Sequence, residues 1–172
     1  MAVLEPTALA DLVLPAAARA AGVGTSLWRT DLRIFNPSPS TATVTLAYHA
    51  KGVGGAPAAT VSRQVAAGAI LSLDDLMSSA FGLETANGGV RLTANTPLIA
   101  ISRTYNQSDD GTYGQSIPAT GGAALVGAGE VGLFSGLSNS GFRSNAGFFN
   151  VGSAPVDLAL ELVGGSGAVA AA

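Results

Sequence analysis

The chain has 172 residues, of which 48% are hydrophobic and 11% charged, and this composition excludes disorder because disordered chains are polar and strongly charged. Eight basic residues stand against 11 acidic ones, so the sequence lacks a basic patch for phosphate groups and we expect no nucleic-acid partner. No stretch reaches the ~20 apolar residues of a membrane-spanning helix. The absence of cysteine excludes disulfides, thiolate zinc sites and cysteine nucleophiles.

The start of the chain favours two structures. Alanine in TALADLVLPAAARAAG favours a helix, whereas Pro15 would break one, and we interpret LVLP as a first edge strand. The leading MAVLEPTALA lacks the basic segment of a signal peptide, so we expect a mature chain whose leader has been removed.

Residues 26–36, SLWRTDLRIFN, alternate in polarity as a half-buried strand does. Trp28, Leu32 and Ile34 share one face with Thr30, so we expect Trp28 to anchor the core and Trp28→Ala to cost about 3–5 kcal/mol. Arg29 and the other charged residues of the segment occupy the opposite face. The proline-containing stretch 36–40 follows, then TATVTLAYHA, and the two segments are predicted to form a hairpin.

Further alternating segments predict strands at residues 59–65, 69–73, 89–94, 98–106 and 112–117. One short helix is expected within LSLDDLMSSAFGL, with Ser72 as its cap, Asp74 and Asp75 in its first turn, and Gly82 at its end. The spacing of the strands is typical of a sandwich.

The sequence contains an internal repeat. Residues 28–46, WRTDLRIFNPSPSTATVTL, align without gaps to residues 142–160, FRSNAGFFNVGSAPVDLAL, at an offset of 114, and DLVLP at 11–15 echoes EVGLF at 130–134. A repeat of ~110 residues has the size of an immunoglobulin-like sandwich. The second copy ends after about three strands. Either the chain is a fragment of a longer tandem protein, or these strands complete the first sheet or a neighbouring chain.

Three runs, LVLPAAARAAGVGTSLWRTDLRIFNPSPSTATVTLAY, LSLDDLMSSAFGL and ISRTYNQSDDGTYGQSIPA, resemble a tandem immunoglobulin-like β-sandwich repeat of uncharacterised secreted bacterial proteins. The resemblance implies an all-β chain, with an immunoglobulin-like antiparallel β-sandwich and one short helix in residues 1–120 and a partial second repeat in 121–172. It implies a secreted or cell-surface location and carries no catalytic residue. His49-Ala50 departs from the family, which tends to have a proline-containing turn there.

The candidates for chemistry are few. His49 is the single histidine, so a catalytic triad or a multi-histidine metal site has one candidate member. GAGEVG at 127–132 matches the dinucleotide-binding pattern, but turn residues follow where that pattern needs a helix. Asp109 and Asp110 offer oxygens to calcium, yet Asp-Gly is a common hairpin turn. We therefore predict no catalytic residue, metal or cofactor, and a protein that is not an enzyme.

The remaining candidates are aromatic and arginine side chains. Arginine and aspartate on neighbouring strands most often form structural cross-strand pairs. As a recognition surface, the sequence offers one candidate ligand patch: Trp28, Arg29, Tyr48, Arg103, Tyr105 and Tyr113. We predict a structural or adhesive surface module whose partner is protein, a second copy through strand edges of residues 123–165 included. The alternative is a carbohydrate- or ligand-binding module that uses the patch.

Overall fold

The structure is a computed structural model that describes residues 8–22, 24–137 and 146–171. Within those residues the chain is mostly antiparallel β-structure with one short α-helix, which confirms the all-β prediction. The elements in chain order are β1 Leu9–Ala21, β2 Leu27–Phe35, β3 Ala42–Ala50, β4 Ala59–Val65, β5 Ile70–Leu73, α1 Leu76–Phe81, β6 Ala86–Ser108, β7 Gly111–Pro118, a 3-10 turn Gly122–Ala124, β8 Leu162–Val163 and β9 Val169–Ala171.

The long strand β6 organises the fold. Its first half pairs with β1 on one side and β3 on the other, and its second half pairs with β2 and β7. Because β1 pairs with both β6 and β2, strands β1 to β7 join in a seven-stranded sheet that curls into a half-barrel, and β8 and β9 form a separate pair. An immunoglobulin-like sandwich, with two separate stacked sheets, is not confirmed.

The core fills the concave side of this sheet. Alternate residues of β2 and β3 point inward, as the period of two requires, and helix α1 adds Leu76 and Met77. The largest side chains with less than 2% exposure are Leu14, Leu32, Ile34, Leu46, Leu76, Met77, Leu92, Leu98, Val44 and Val90.

The predicted anchor of this core is wrong, because Trp28 is 39% exposed. It lies in phase with Leu32 and Ile34, but at the end of β2, one position beyond the last buried residue of that face, Thr30. The half-buried strand itself is confirmed.

The predicted hairpin of β2 and β3 is also wrong. Both strands run antiparallel to β6 along the same side of it, one after the other. Between the Phe35–Ile99 pair and the Val44–Ala94 pair, the segment that links β2 to β3 advances nine residues, while β6 advances only five. The excess forms a corner over residues 36–40, where Pro37 and Pro39 cannot donate to a ladder.

The strand assignment of the opening segment is confirmed, but β1 lies inside the sheet and not at an edge. Its pairing with β6 shifts register between Leu14 and Ala17. Pro15 therefore sits at an irregularity, where a missing backbone donor is tolerated.

The helix is confirmed, and Gly82 ends it in the left-handed conformation at φ 69°. Its predicted cap is wrong: Ser72 lies in β5, and the N-cap is Asp75, which has a left-handed backbone at φ 48° and makes no side-chain capping bond. The two acidic residues serve ion pairs instead, as Asp74 binds Arg33 and Asp75 binds Arg19.

Beyond Gly121 the described residues are mostly exposed and irregular, apart from the short pair β8 and β9. We call residues 122–171 the tail. The division into a domain at 1–120 and a partial repeat at 121–172 stays a prediction. Within the described ranges, no helix is long and apolar enough to cross a bilayer.

Candidate functional site

The charged residues of β2 lie on the outer, convex face of the sheet, where β2 pairs with the second half of β6. Arg29 of β2 lies directly opposite Tyr105 of β6, and Asp31 lies opposite Arg103. Residues that face each other in this way have their Cβ atoms about 4.5–5.5 Å apart. The structure therefore joins Arg29, Arg103 and Tyr105 of the predicted patch on one surface.

Exposed Arg103 and half-buried Tyr105 lie next to each other on this face. The Arg103 guanidinium lies 4.5 Å from the centre of the Tyr105 ring, at cation–π distance, and its Nη2 donates to Thr112 Oγ1 at 2.8 Å. On β7, Gly114 lies opposite Tyr105, and a Cβ there would overlap the tyrosine's own Cα and Cβ. The glycine lets β7 approach this part of β6 closely.

Asp31 ties the face to the helix entry. Its Oδ1 accepts a hydrogen bond from the Asp75 backbone N–H at 2.9 Å and a longer one from the Tyr105 hydroxyl at 3.4 Å. Burial, and then the neighbouring Asp31 carboxylate, raise the pKa of Tyr105 above its ordinary value, because both disfavour the phenolate. The hydroxyl stays protonated at neutral pH.

Asp75 lies between two arginines. Its carboxylate pairs with Arg19 and stands 3.5 Å from Arg29 Nε, while Arg19 Nη2 also pairs with Glu84 at 2.9 Å. These contacts hold the left-handed backbone of Asp75, a conformation that is rare outside glycine. Carboxylates already neutralise Arg19 and Arg29, so the cluster of Arg19, Arg29, Asp75 and Glu84 stabilises the start of the helix. We call this cluster the brace.

A shallow depression of about 350 Å³ opens beside the brace, lined by Asp31, Arg33, Ile101, Ser102, Arg103 and Ser116. Arg103 makes no ion pair among the described residues. The other arginine of the lining, Arg33, pairs with Asp74, so Arg103 gives this depression its cation without an ion pair among the described residues, and Ile101, which is 46% exposed, gives it an apolar wall.

Trp28 and Tyr113 lie on the opposite side of the sheet from that depression. Trp28 faces Asn106, and Asn106 faces Tyr113, across the neighbouring strands β2, β6 and β7. Trp28 is 39% and Tyr113 66% exposed. Between them, the Asn106 Oδ1 atom is buried and accepts no hydrogen bond from the residues that the structure describes. Two exposed rings therefore lie on either side of Asn106 on this face of the sheet.

Tyr48 belongs to neither surface, because it is 5% exposed in the core. Its hydroxyl donates to the Asn87 carbonyl at 3.0 Å and accepts from the Asn87 N–H at 3.1 Å. The predicted patch is thus split into three places. The sequence signal for this placement is strand alternation, because Tyr48 alternates in phase with the apolar residues Val44 and Leu46.

The other candidates lie apart. His49 is half-buried, 5.4 Å from the Phe149 ring centre. In 127–132, the Glu130 carboxylate accepts from the Gly127 N–H at 2.6 Å and closes a turn. Asp109 and Asp110 form the two-residue turn between β6 and β7. Across the described ranges, no group of three or more His, Cys, Asp or Glu is arranged to hold a metal.

Sequence reasoning missed a contact between the tail and the outer face of the sheet. Phe149 packs on Gly89, where a Cβ would overlap the phenylalanine ring, and edge-on against His49. Arg91 donates from Nη1 to the Val151 carbonyl at 3.4 Å. A glycine inside a strand is the signal that marks such a close approach.

Arg91 also forms a two-pronged pair with Asp11 across β6 and β1. Nε donates to Oδ1 at 2.9 Å and Nη2 to Oδ2 at 2.6 Å. These hydrogen bonds hold the pKa of Asp11 below its ordinary value and raise that of Arg91, because they favour the charged forms. The pair borders a cavity of about 280 Å³ under the start of the tail.

The repeat in the sequence has a local structural counterpart. At the corner after β2, Asn36 Nδ2 donates to the carbonyl four residues on, that of Ser40, at 2.7 Å, and Oδ1 accepts from the N–H two residues on, that of Ser38, at 3.0 Å. In the tail, Asn150 makes the same two bonds, to Ala154 at 2.7 Å and Gly152 at 2.9 Å. The aligned residues Phe142 and Arg143 lie outside the described ranges.

No protein-family model matches this sequence, and no curated protein matches it. Its fold is similar to that of the crystal structure of Thermotoga maritima 1070, with a TM-score of 0.54 and 10% sequence identity, over 66% of this chain and 94% of that one. At this identity the likeness shows the fold alone.

Proposed function

We propose that this chain is a non-catalytic structural or adhesive β-module of an extracellular or cell-surface assembly. The observation that carries the proposal is the apolar surface of the tail. Val131 and Leu133 are 94% and 91% exposed, and Leu158 and Leu160 are more than half exposed. Large apolar side chains that are concentrated in one exposed segment favour protein association.

The polarity pattern of the tail supports association through strands. From Val156 to Leu162 every second residue is a large apolar one, and the intervening Asp157 and Glu161 are charged. An alternating segment of this kind buries one face when it pairs with another strand. The secreted location and the relation to tandem immunoglobulin-like repeats belong to the same proposal, supported by the internal repeat.

Light scattering on the full chain tests the proposal. We expect a molar mass that rises above 16.9 kDa with concentration, and a smaller rise when Leu133, Leu158 and Leu160 are replaced together by serine. A chain that stays monomeric and binds no protein surface would contradict the proposal.

Carbohydrate binding is the second candidate, and Trp28 and Tyr113 favour it because their exposed rings lie on either side of Asn106 across neighbouring strands. Aromatic rings offer exposed apolar faces with defined geometry, against which a sugar ring can pack. On a glycan array, tight and saturable binding that Trp28→Ala and Tyr113→Ala both abolish, while Tyr105→Ala preserves it, would favour this candidate over the structural one.

A further inference from the structure

We propose that the depression beside the brace binds a free α-amino acid with an apolar side chain, in which Arg103 holds the carboxylate of the ligand and Asp31 holds its ammonium group. The inference goes beyond the proposed function, because a small-molecule site on the outer face of the sheet does not depend on association through the tail. It starts from two opposite charges that face each other across neighbouring strands and yet do not pair.

Asp31 and Arg103 occupy the positions of a cross-strand ion pair. They lie directly opposite each other on β2 and β6, where Cβ atoms are about 4.5–5.5 Å apart and opposite charges attract each other. Neither residue makes an ion pair with any residue that the structure describes. The sheet thus places an unpaired anion beside an unpaired cation, and both line the depression.

Tyr105 keeps the two charges apart. Its hydroxyl donates to Asp31 Oδ1 at 3.4 Å, while the centre of its ring lies 4.5 Å from the Arg103 guanidinium. The Asp75 backbone N–H donates to the same Oδ1 atom at 2.9 Å, and Arg103 Nη2 donates to Thr112 Oγ1 at 2.8 Å. These contacts orient both charged groups before a ligand arrives, which lowers the entropic cost of binding.

Both charged groups keep unused hydrogen-bonding capacity. Within the described chain, Asp31 Oδ2 accepts no hydrogen bond, and Arg103 Nε and Nη1 donate none. A ligand carboxylate can accept from the guanidinium and a ligand ammonium group can donate to the aspartate, in charge-assisted bonds. Exposed Ser116 lies opposite Arg103 on β7, on the side away from Asp31, and adds a hydroxyl for the carboxylate. A zwitterion therefore satisfies all three side chains.

The rest of the depression selects the side chain of the ligand. Ile101 lies on the same face of β6 as Arg103 and is 46% exposed, so it offers an apolar wall. Arg33, which lies opposite Ile101, already pairs with Asp74 at 2.5 Å, so it does not require an acidic ligand. The volume of about 350 Å³ is at the lower end of the ~300–1,000 Å³ of ligand sites, which suits a molecule of the size of leucine.

Titration of the full chain with L-leucine, followed by the NMR shifts of backbone amides, tests the inference. We expect saturable shifts at residues 101–105 and 116, with a Kd of about 1 mM because the depression is open to solvent. Isocaproate is leucine without the ammonium group, and isoamylamine is leucine without the carboxylate. Each should bind at least about tenfold more weakly than leucine, because it loses one charge-assisted contact.

Two variants that remove one charge each test the residues of the site. Arg103→Gln and Asp31→Asn should each weaken leucine binding by about tenfold. Arg63→Gln is the matched control, because it removes an exposed arginine from β4 and should leave leucine binding unchanged. In Asp31→Asn, the amide oxygen can still accept from the Asp75 N–H, so the start of the helix is retained, and circular dichroism checks the fold.

Three results would overturn the inference. Shifts that rise linearly and do not saturate by about 100 mM leucine, a hundredfold above the expected Kd, mean that the depression is not a site. Isocaproate that binds as tightly as leucine means an anion contact in which Asp31 has no role. Equal leucine binding by Arg103→Gln and Arg63→Gln places the contact elsewhere. Each of these results leaves the proposed structural function standing, because that function rests on the tail.

Discussion

The Asn36 side chain fills the corner between β2 and β3. Its amide nitrogen lies within 3.2 Å of three carbonyl oxygens, those of Ser40, Val65 and Ala66, and its oxygen accepts from the Ser38 N–H and hydroxyl. One residue thus joins the corner to the turn after β4. An alanine would remove this partner from the carbonyl of buried Val65, and a buried unsatisfied group costs about 1–3 kcal/mol.

We expect Asn36→Ala to lower the free energy of unfolding by about 2–3 kcal/mol, measured by urea denaturation of dilute protein. Asn150→Ala is the matched control, because it removes the same local bonds at an exposed position and should change stability by less than about 0.5 kcal/mol. An equal loss of unfolding free energy in the two variants would show that the burial of Asn36 contributes nothing to the stability of the half-barrel.

Trp28 and Leu32 lie on the same face of β2 at 39% and 0% exposure. Because the loss on truncation follows the burial of the removed atoms, Leu32→Ala should cost about 2–5 kcal/mol and Trp28→Ala less. Thermal melting of the two variants measures the difference. A Trp28→Ala loss as large as that of Leu32→Ala would restore the role of core anchor that the sequence predicts.

Strand alternation predicted which side chains of β2 face inward, but it carries no information on where the core ends. Trp28 and Ile34 fit the pattern equally well, and only the position of Trp28 at the end of β2 exposes it. The candidate patch failed for a related reason. Residue type alone places Tyr48 and Tyr105 in one patch. The strand pairing, which residue type does not specify, puts Tyr48 in the core and Tyr105 on the outer face.

The length of strand β6 could not be predicted from local sequence pattern. The alternating segments 89–94 and 98–106 predicted two separate strands. The structure keeps them in one strand, in which Asn95 to Pro97 have no ladder partner among the described residues and the chain passes from one half of the sheet to the other. The β2–β3 hairpin was wrong for the same reason, since a long partner strand is not visible from local pattern.

The pair of Asp11 and Arg91 joins β1 to β6, and its stabilisation depends on pH. The pKa of Asp11 is lower in the folded chain than its ordinary value, so the stabilisation is complete above an unfolded-state pKa of ~3.9 and is lost as the pH falls through the folded value. Both side chains are partly exposed, which limits the contribution to about 0.2–1 kcal/mol.

We therefore expect Asp11→Asn to lower the free energy of unfolding at neutral pH by up to about 1 kcal/mol. The difference between the variant and the wild type, which we call the gap, should close as the pH falls below ~3.9. Urea denaturation at a series of pH values measures the gap. Asp109→Asn, in the β6–β7 turn, is the control for loss of a carboxylate that forms no ion pair within the described residues. A gap that widens in acid would contradict the assignment.

At the scale of the whole molecule, the half-barrel and the described tail differ in burial. Residues 9–121 hold the core cluster, while the described tail contributes no residue to it. The repeat predicted that strand-like sequence continues after residue 121, but it could not predict the surroundings, because burial depends on partners that a local pattern does not specify.

Hydrogen exchange of backbone amides separates a solvated tail from a docked one. In a monomer, amides of β3 and β6 should exchange only through large openings, because they are paired and cover the core, whereas residues 153–161 should exchange at nearly unprotected rates. If copies associate through the tail, protection of residues 156–163 should grow with protein concentration, while that of β3 and β6 stays constant. Mass spectrometry of peptides from dilute and concentrated samples measures both, and Leu160→Asp is the control in which the tail should stay unprotected at either concentration. Concentration-dependent protection that appears instead along the β4 edge would assign self-association to the half-barrel and leave the tail solvated in the assembly.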